Sequence, residues 1–163
     1  MIRGIFVPHH IMMRDPRIIP IAREIRSSSK TNDEFILNAL NYVHSNIQYI
    51  DDKKNQGQDE YVQMPMETLN LKKGDCEDMA ILLLSILWAG GELNSKEVLG
   101  YVDMSHRWVE AKTSKGWYIL DATNGNAIPV NSKTRKRYKA FWYITPVSIQ
   151  STKIPLPPFP LLI

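Results

Sequence analysis

An apolar stretch near the middle of the chain constrains the fold more than any other feature. Its sequence, "DCEDMAILLLSILWAGG", covers residues 75–91 and predicts a helix with apolar side chains on nearly every side. Asp75 and Asp78 have the spacing of a capping pair at its start, and Gly90-Gly91 is a typical helix end. A helix that is apolar all round has to be buried, so this segment is predicted to be the central helix.

The remaining segments predict helices before this one and strands after it. "RDPRIIPIAREIRSSSK" has helical periodicity, with Asp15 as a cap and Pro20 delaying the start. "TNDEFILNALNYVHSNIQYIDD" predicts a longer helix capped by Thr31 or Asn32, and the polar residues 51–61 predict a loop. Short β-branched or aromatic segments then predict antiparallel strands over residues 97–104, 106–112, 116–123 and 139–145. The predicted fold class is α+β, with helices packed on an antiparallel sheet.

The length of the chain and its proline content bear on domain organisation. A chain of 163 residues predicts a single domain over residues 1–163. The last segment, "TKIPLPPFPLLI" (residues 152–163), has too many prolines for a helix or a sheet. We expect an extended C-terminal tail, either packed along its own domain or offered to a partner protein.

Charge and cysteine content exclude several classes of protein. A net charge of +3 does not indicate nucleic-acid binding. The basic cluster is interpreted as a solvated loop or strand edge, with an anionic partner as the alternative; it comprises Lys133, Arg135, Lys136, Arg137 and Lys139. No uninterrupted apolar run approaches the length of a membrane span, the N-terminus lacks a signal-peptide pattern, and one cysteine cannot form an internal disulfide. The expectation is a cytoplasmic protein with no membrane and no nucleic acid partner.

The only cysteine, Cys76, is predicted to lie in the first turn of the central helix. Unpaired backbone N–H groups and the helix dipole favour a thiolate there, and the same amides can bind an oxyanion. Asp75, Glu77 and Asp78 act in the opposite direction, because neighbouring negative charge raises a thiol pKa. The helix start alone leaves three interpretations open: a buried filler, a metal ligand or a nucleophile.

Two downstream residues offer partners for a nucleophile. "HRWVEAKTSKGWYILDAT" predicts a hairpin, and a four-residue turn at residues 113–116 makes Trp108 face Asp121. His106 then lies one diagonal step from Asp121 on the same face, within reach of a hydrogen bond. A three-residue loop without a bulge would put them on opposite faces. In this hypothesis Cys76 attacks, His106 takes its proton and Asp121 orients the imidazole ring. The alternatives are a structural histidine and a turn acid.

These motifs resemble a known family. "GDCEDMAILLLSILWAGG", "HRWVEA" and "WYILDAT" resemble the transglutaminase-like superfamily, with its Gly-x-Cys at a helix start, His-x-Trp on a strand and Asp-x-Thr ending the next strand. The segment before the cysteine is similar to bacterial transglutaminase-like cysteine proteinases, and the resemblance covers residues 46–123. The matching residues are Tyr49, Asp52, Glu60, Tyr61, Pro65, Glu67, Leu69 and residues 74–78. Val62 departs from the pattern, which usually has tryptophan there.

The resemblance implies a papain-like core in which the helix bearing the cysteine packs on an antiparallel sheet. It assigns Cys76 as nucleophile, His106 as base and Asp121 as the orienting acid. It also implies a second oxyanion donor upstream, for which Gln48 is the candidate and Gln63 the other possibility. The residues themselves predict no cofactor and no metal ligand.

Bacterial relatives can bind calcium through acids beside the cysteine, and Asp75 and Glu77 occupy those places. Capping of the helix and pairing with Lys72 or Lys73 is the alternative role of these acids.

The functional hypothesis is a thiol hydrolase, a peptidase or amidase that cleaves an amide bond of a protein or peptide substrate through an acyl-enzyme. An amine acceptor in place of water would make it a protein cross-linking acyltransferase, that is, a transglutaminase. A third possibility is a non-catalytic binding or structural module on the same fold, with the Pro-rich tail docking on a partner.

Overall fold

The structure is a computed structural model that describes residues 13–55, 57, 61–145 and 149–151. Its helices are α1 (Ile18–Ser27), α2 (Asn32–Asn46), α3 (Asp52–Asn55), α4 (Pro65–Leu71), α5 (Cys76–Ala89) and α6 (Ser132–Arg137). Its strands are β1 (Gln48–Tyr49), β2 (Lys73–Gly74), β3 (Lys96–Val102), β4 (Met104–Thr113), β5 (Gly116–Asp121), β6 (Asn126–Pro129), β7 (Lys139–Ile144) and β8 (Ile149–Ser151). The predicted α+β class and its central helix are confirmed.

Helix α5 begins and ends where its sequence predicts. The Asp75 side chain accepts hydrogen bonds from the backbone N–H groups of Glu77 and Asp78, and the Asp78 side chain accepts one from the Asp75 N–H. This capping box makes Cys76 the first helical residue. From Glu77 to Trp88 every residue is buried, as an all-round apolar helix requires.

Helices α1 and α2 pack on α5 and form the main core with it. Helix α1 begins at Ile18, after Asp15 accepts a bond from the Arg17 N–H, so Pro20 falls in the first turn, where no backbone donor is needed. Thr31 caps α2 by accepting a bond from the Glu34 N–H. The predicted cap of α2 is confirmed, whereas that of α1 is wrong, since its N-cap is Arg17, which makes no side-chain cap bond.

Strands β3 to β8 form one antiparallel sheet in the order β6-β5-β4-β3-β7-β8, and β1 pairs with β2 in a separate parallel pair. Helix α5 packs against β4, where Val109 and Ala111 belong to the main core. The opposite face of the sheet carries a second, smaller core that includes Trp108, Ile119 and Tyr138. The side chains of β4 thus alternate between two cores.

The β4–β5 hairpin has the predicted register. Thr113 pairs with Gly116 across the turn, and Val109 pairs with Leu120 further along. This spacing puts His106 and Asp121 on the same face of the two strands, and the three-residue alternative is excluded.

Three parts of the fold differ from the predictions. The basic cluster was interpreted as a loop or strand edge and this is wrong, because most of it forms α6, which Asn131 and Thr134 begin with a capping box. Helix α4 and strands β1, β2, β6 and β8 were not predicted, and β1 lies in a segment predicted to be helical. Strand β6 contains Pro129, which an edge strand tolerates. Helix α3 is a single turn inside the segment predicted to be a loop.

Two predictions lie outside the described residues: the tail at residues 152–163 and the motif residue Glu60. Within the described ranges, none of the helices has the combination of length and apolar character needed to cross a membrane.

Candidate active site

The hairpin brings His106 and Asp121 into contact. His106 is in the first half of β4 and Asp121 ends β5, and the distance from His106 Nε2 to Asp121 Oδ2 is 2.9 Å. Because Nε2 is engaged by the carboxylate, Nδ1 is the ring nitrogen that remains for a nucleophile or a leaving group. The ring is largely buried but reaches a surface cleft.

Asp121 is a buried carboxylate that the chain itself fully satisfies. Its Oδ2 also accepts bonds from the Tyr138 hydroxyl at 2.8 Å and from Asn124 Nδ2 at 3.2 Å. Its Oδ1 accepts bonds from the backbone N–H and hydroxyl of Thr123, at 3.2 and 2.7 Å. Burial alone would raise the pKa of Asp121, but the bonds from His106, Thr123 and Tyr138 outweigh it and lower that pKa. Asp121 therefore stays ionised at neutral pH.

Cys76 lies beside the edge of β4, near Arg107, which follows His106 in that strand. The pairing of β4 with β5 extends only to Val109 and Leu120, so the β5 side of β4 is open beyond that point. There the backbone N–H of Arg107 donates to the thiol. Alternation along β4 directs the Arg107 side chain toward α5, where it pairs with Glu77, and the imidazole of His106 toward the opposite face.

Of the three predicted catalytic residues, His106 and Asp121 are therefore joined by a hydrogen bond, and Cys76 lies beside the backbone of the neighbouring residue, Arg107. Among the described residues no hydrogen bond links the Cys76 thiol to His106. Such bonds are often long in proteins without substrate and shorten in the reacting complex.

The electrostatic balance at the thiol, which the sequence left open, is decided by burial. Desolvation and the negative charge of Asp75 raise the pKa of Cys76 to about 12, while the Arg107 N–H and guanidinium act in the opposite direction without matching them. The protein without a bound cation thus carries a neutral thiol.

The capping box also changes which amides can bind an oxyanion. Asp75 occupies the N–H groups of Glu77 and Asp78, which the sequence suggested as oxyanion donors. The hydrogen bonds among the described residues leave the Cys76 N–H without an acceptor, so it is the amide of this turn that remains for a substrate oxygen.

The two upstream glutamines have different surroundings. Gln63 is fully buried, and its Nε2 donates to the Lys73 carbonyl and to Asp78, so it has no donor to offer a substrate. The Gln48 side chain is exposed on β1, which runs beside the Lys73–Gly74 strand that leads into α5. Gln48 therefore remains the candidate for a second oxyanion donor.

Three acids, two of which flank Cys76 in the sequence, form a group in which Asp52 and Glu77 are buried and Asp75 is partly buried; it is called the acidic cluster below. One carboxylate oxygen from each of Asp52, Asp75 and Glu77 lies within 4.8 Å of the others. Asp52 Oδ1 and Glu77 Oε1 are buried and have no hydrogen-bond partner among the described residues. The two residues are 5% and 8% exposed, respectively. Burial raises the pKa of Asp75 and that of Glu77 to about 7, and it raises the pKa of Asp52.

The acidic cluster fits a hard cation. Calcium takes carboxylate oxygens as ligands, and unpartnered buried oxygens are costly unless a cation or a proton satisfies them. Arg107 does not fill this role, since its guanidinium bonds the other oxygen of Glu77, at 3.2 Å, and Glu97 at 2.9 Å. The resemblance implied Asp75 and Glu77 as possible calcium ligands, with capping of the helix as the alternative, and Asp75 does cap α5. Asp52 was only part of a matching motif.

A cleft of about 400 Å³ opens on the His106 side of the site. Its lining combines polar and apolar side chains: Tyr49, Val102, Asp103, Met104, His106, Asp121, Thr123, Asn124, Arg137 and Tyr138. Tyr49 lines the cleft and is also close to the nucleophile. Burial is the main cause of the raised pKa of its phenol, and the nearby Cys76 is the second cause. Tyr49 and Met104 are exposed, so the rim of the cleft is partly apolar.

Comparison with protein-family models gives a match to the transglutaminase-like superfamily over residues 19–122. This range covers more than half of the chain and contains α5 and the β4–β5 hairpin. The chain belongs to the transglutaminase-like superfamily. No protein among those with curated descriptions matches the chain in sequence.

Solved structures with the same fold support this assignment. Legionella pneumophila LapG, in its EGTA-treated form, is 19% identical with a TM-score of 0.66, over 85% of each chain. The calcium-bound form of LapG is 18% identical with a TM-score of 0.58, over 83% of this chain and 88% of LapG. A proposed cysteine protease from Cytophaga hutchinsonii is 19% identical with a TM-score of 0.59, over 94% of this chain and 56% of that one. At these identities the likeness establishes the fold alone.

Sequence reasoning missed two residues of the site. Tyr138 bonds the carboxylate of Asp121, but in "KRYKAFWYI" nothing distinguishes it from the other aromatic residues. Arg107 ties β4 to Glu77 on α5, and its position between His106 and Trp108 was the one available signal.

Proposed function

We propose that this member of the superfamily is a thiol hydrolase that cleaves an amide bond in a protein or peptide through an acyl-enzyme. Cys76 is the nucleophile, His106 the general base and Asp121 the orienting acid. The observation that carries the proposal is the His106–Asp121 bond of 2.9 Å beside the open edge of β4, where the Arg107 N–H meets the Cys76 thiol.

The neutral thiol sets the order of events in the first half of the reaction. His106 Nδ1 takes the Cys76 proton as sulfur attacks the substrate carbonyl, and Asp121 stabilises the imidazolium that forms. The carbonyl oxygen gains negative charge, and the Cys76 N–H, with Gln48 as the proposed second donor, stabilises it. The C–N bond then breaks as the imidazolium gives its proton to the leaving amine, which leaves a thioester on Cys76.

The second half repeats these roles with water. His106 takes a proton from a water molecule, the oxygen attacks the thioester carbonyl, and the C–S bond breaks with return of the proton to sulfur. The released product is a carboxylic acid. The amine departs and the water enters on the His106 side, where the cleft provides space for them.

Calcium bound by the acidic cluster is part of this proposal. Asp52, Asp75 and Glu77 would hold it, and its charge would satisfy the unpartnered oxygens of Asp52 and Glu77. The calcium-bound structure of LapG is consistent with such a site in this fold.

Two other functions belong to the same fold. A primary amine in place of water would give a protein cross-linking acyltransferase, and loss of chemistry would leave a binding or structural module for which the Pro-rich tail provides the partner contact. Hydrolysis is favoured because the segment before Cys76 is similar to bacterial cysteine proteinases and one fold relative is described as a proposed cysteine protease. We propose no nucleic acid and no membrane as a partner.

One experiment separates these functions. Wild-type protein and Cys76→Ala are incubated with a quenched peptide mixture, in EGTA or in calcium, with and without a primary amine, and the products are identified by mass spectrometry. Hydrolysis predicts new carboxyl termini from the wild type alone. Amine-containing products in place of acids would indicate the acyltransferase, and equal signals from the two proteins would refute catalysis by Cys76.

A further inference from the structure

We propose that Tyr138 is a positioning residue of this site, which holds the Asp121 carboxylate so that the His106 ring keeps its orientation in the His106–Asp121 pair. The inference rests on the proposed function, in which the His106–Asp121 pair acts on Cys76. Nothing in the sequence motifs includes Tyr138, which lies seventeen residues beyond Asp121.

The Tyr138 hydroxyl and the imidazole share a single oxygen. Tyr138 donates to Asp121 Oδ2 at 2.8 Å, and His106 Nε2 lies 2.9 Å from the same atom. A carboxylate that accepted only the histidine could rotate about its Cβ–Cγ bond. Thr123 holds Oδ1, while Oδ2 also accepts a longer bond from Asn124 at 3.2 Å. Tyr138 is the closer of these two further donors to Oδ2, so it contributes most to fixing the direction of the bond to His106.

Tyr138 is held in place by packing as well as by this bond. It is 3% exposed, and its ring meets Trp108 edge to face with centroids 5.2 Å apart. Trp108 in turn stacks on His106 with centroids 6.1 Å apart. A Cβ on Gly100 would lie 2.5 Å from the Trp108 ring and 2.2 Å from the Lys139 carbonyl oxygen, so glycine is required at that position. The tyrosine, the indole and the imidazole thus form a packed row.

Helix α6 anchors this row from the other side. Tyr138 is its C-cap, and the Tyr138 N–H donates to the Thr134 carbonyl. Arg135, one turn earlier, makes two bonds to buried Glu110, at 2.5 and 2.8 Å, and Glu110 also accepts the Trp108 Nε1–H at 3.1 Å. Arg135 therefore ties the otherwise exposed α6 to the row, and its charge is neutralised by Glu110.

The hydroxyl also moderates the charge that the imidazole experiences. Burial and the neighbouring Asp121 raise the pKa of Tyr138 to about 12, so the phenol remains a donor over the working range of pH. As a donor it draws negative charge from Oδ2 toward itself. Removing it concentrates that charge on the bond to His106, which favours the protonated ring.

Other charged and titratable groups surround the His106–Asp121 pair, and a test of Tyr138 has to leave these groups unchanged. They are Cys76 on α5, Tyr49 on β1, Asp103 between β3 and β4, Arg107 on β4 and Arg137 on α6. Since Tyr138→Phe alters none of them, a change in pH dependence reports the lost hydroxyl.

The test compares Tyr138→Phe with Tyr118→Phe. Tyr118 lies on β5 and packs on the main core, away from Asp121, so it is a matched loss of one hydroxyl. For peptide hydrolysis we expect kcat to fall about tenfold in Tyr138→Phe with KM unchanged, as for one bond to a charged group. The acid-side midpoint of the pH–rate profile should rise by about 0.5 to 1 pH unit. Tyr118→Phe should match the wild type in both.

A second measurement does not depend on activity. In proton NMR, the Nε2–H resonance of His106 should move downfield in Tyr138→Phe, because its acceptor oxygen has one donor fewer, and should not move in Tyr118→Phe. An unshifted resonance and profile in a folded Tyr138→Phe protein would overturn the inference. If the His106 resonance shifts in Tyr138→Phe but the wild-type protein has no hydrolytic activity, the proposed function is refuted. The role of Tyr138 in positioning the His106–Asp121 pair is then still supported.

Discussion

Two groups of acids in this site have opposite surroundings. Asp121, 1% exposed, accepts five hydrogen bonds from its own chain, and its pKa is lowered. In the acidic cluster (Asp52, Asp75 and Glu77), Asp52 and Glu77 are also buried, one oxygen of each has no hydrogen-bond partner among the described residues, and the pKa values of all three acids are raised. Burial therefore does not decide the state of a carboxylate; the supply of donors does.

The two groups therefore differ in whether they require a partner from outside the protein. Asp121 is complete in the polypeptide, so its role requires nothing from outside. The acidic cluster is incomplete, and either protons or a cation have to satisfy it. Four predictions examine this difference.

The largest effect is expected from Asp121→Asn. An amide cannot stabilise the imidazolium, and it favours the wrong ring tautomer, so kcat for peptide hydrolysis should fall about a thousandfold or more. Asp33→Asn, at the start of α2 and bonded to Ser114 of the hairpin turn, is the control and should retain activity. Retained activity in Asp121→Asn would remove Asp121 from the mechanism.

Alkylation of the single cysteine tests the neutral thiol. In EGTA at pH 7, iodoacetamide should label Cys76 at least about a hundredfold more slowly than it labels the same protein in urea, because a pKa of about 12 leaves little thiolate. The rate should climb with each increase in pH up to pH 9, measured by intact-protein mass spectrometry. A fast rate that is independent of pH would mean that the thiolate is already formed.

Calcium should stabilise the protein through the acidic cluster. At 100 times Kd a ligand adds about 2.7 kcal/mol, so the Tm of EGTA-treated protein should rise by about 5–10 °C when calcium is restored. Asp52→Asn should abolish both this rise and the heat of calcium binding in calorimetry. Asp51→Asn is the matched control, since Asp51 pairs with Lys54 and lies outside the cluster; equal responses of the two variants would exclude Asp52 as a ligand.

The smallest effect concerns the pH dependence of stability in EGTA. Asp75 and Glu77 have folded pKa values of about 7, above their ordinary values of 3.8 and 4.5, so between about pH 4 and 7 the folded state binds more protons. Their contribution to the free energy of unfolding should therefore fall as pH rises through that window. Asp121 has a lowered pKa, so its contribution is lost only as pH falls below about 4.

Urea unfolding at several pH values measures this trend. The decline should be weaker in Glu77→Gln, and the Asp121 contribution should remain in that variant. A stability that rises steadily from pH 4 to 7 in EGTA would contradict the raised pKa values.

Local patterns were enough to predict much of the site. The capping pair Asp75 and Asp78 located the start of α5, and the turn at residues 113–116 fixed which side chains share a face of the hairpin. Both depend on residues close together in the chain. The prediction that the basic cluster is a loop failed, because Arg135 finds its partner in Glu110, on a distant strand.

By itself, the sequence determined which groups could react: one thiol at a helix start, one imidazole and one carboxylate on a hairpin, and two acids beside the thiol. Their order and spacing are local properties. Only the tertiary structure decided the state of each group, because desolvation and hydrogen bonding depend on atoms brought together from separate segments. That is why the thiol pKa is raised, why Asp52 joins the acidic cluster, and why the Tyr138 hydroxyl reaches Asp121.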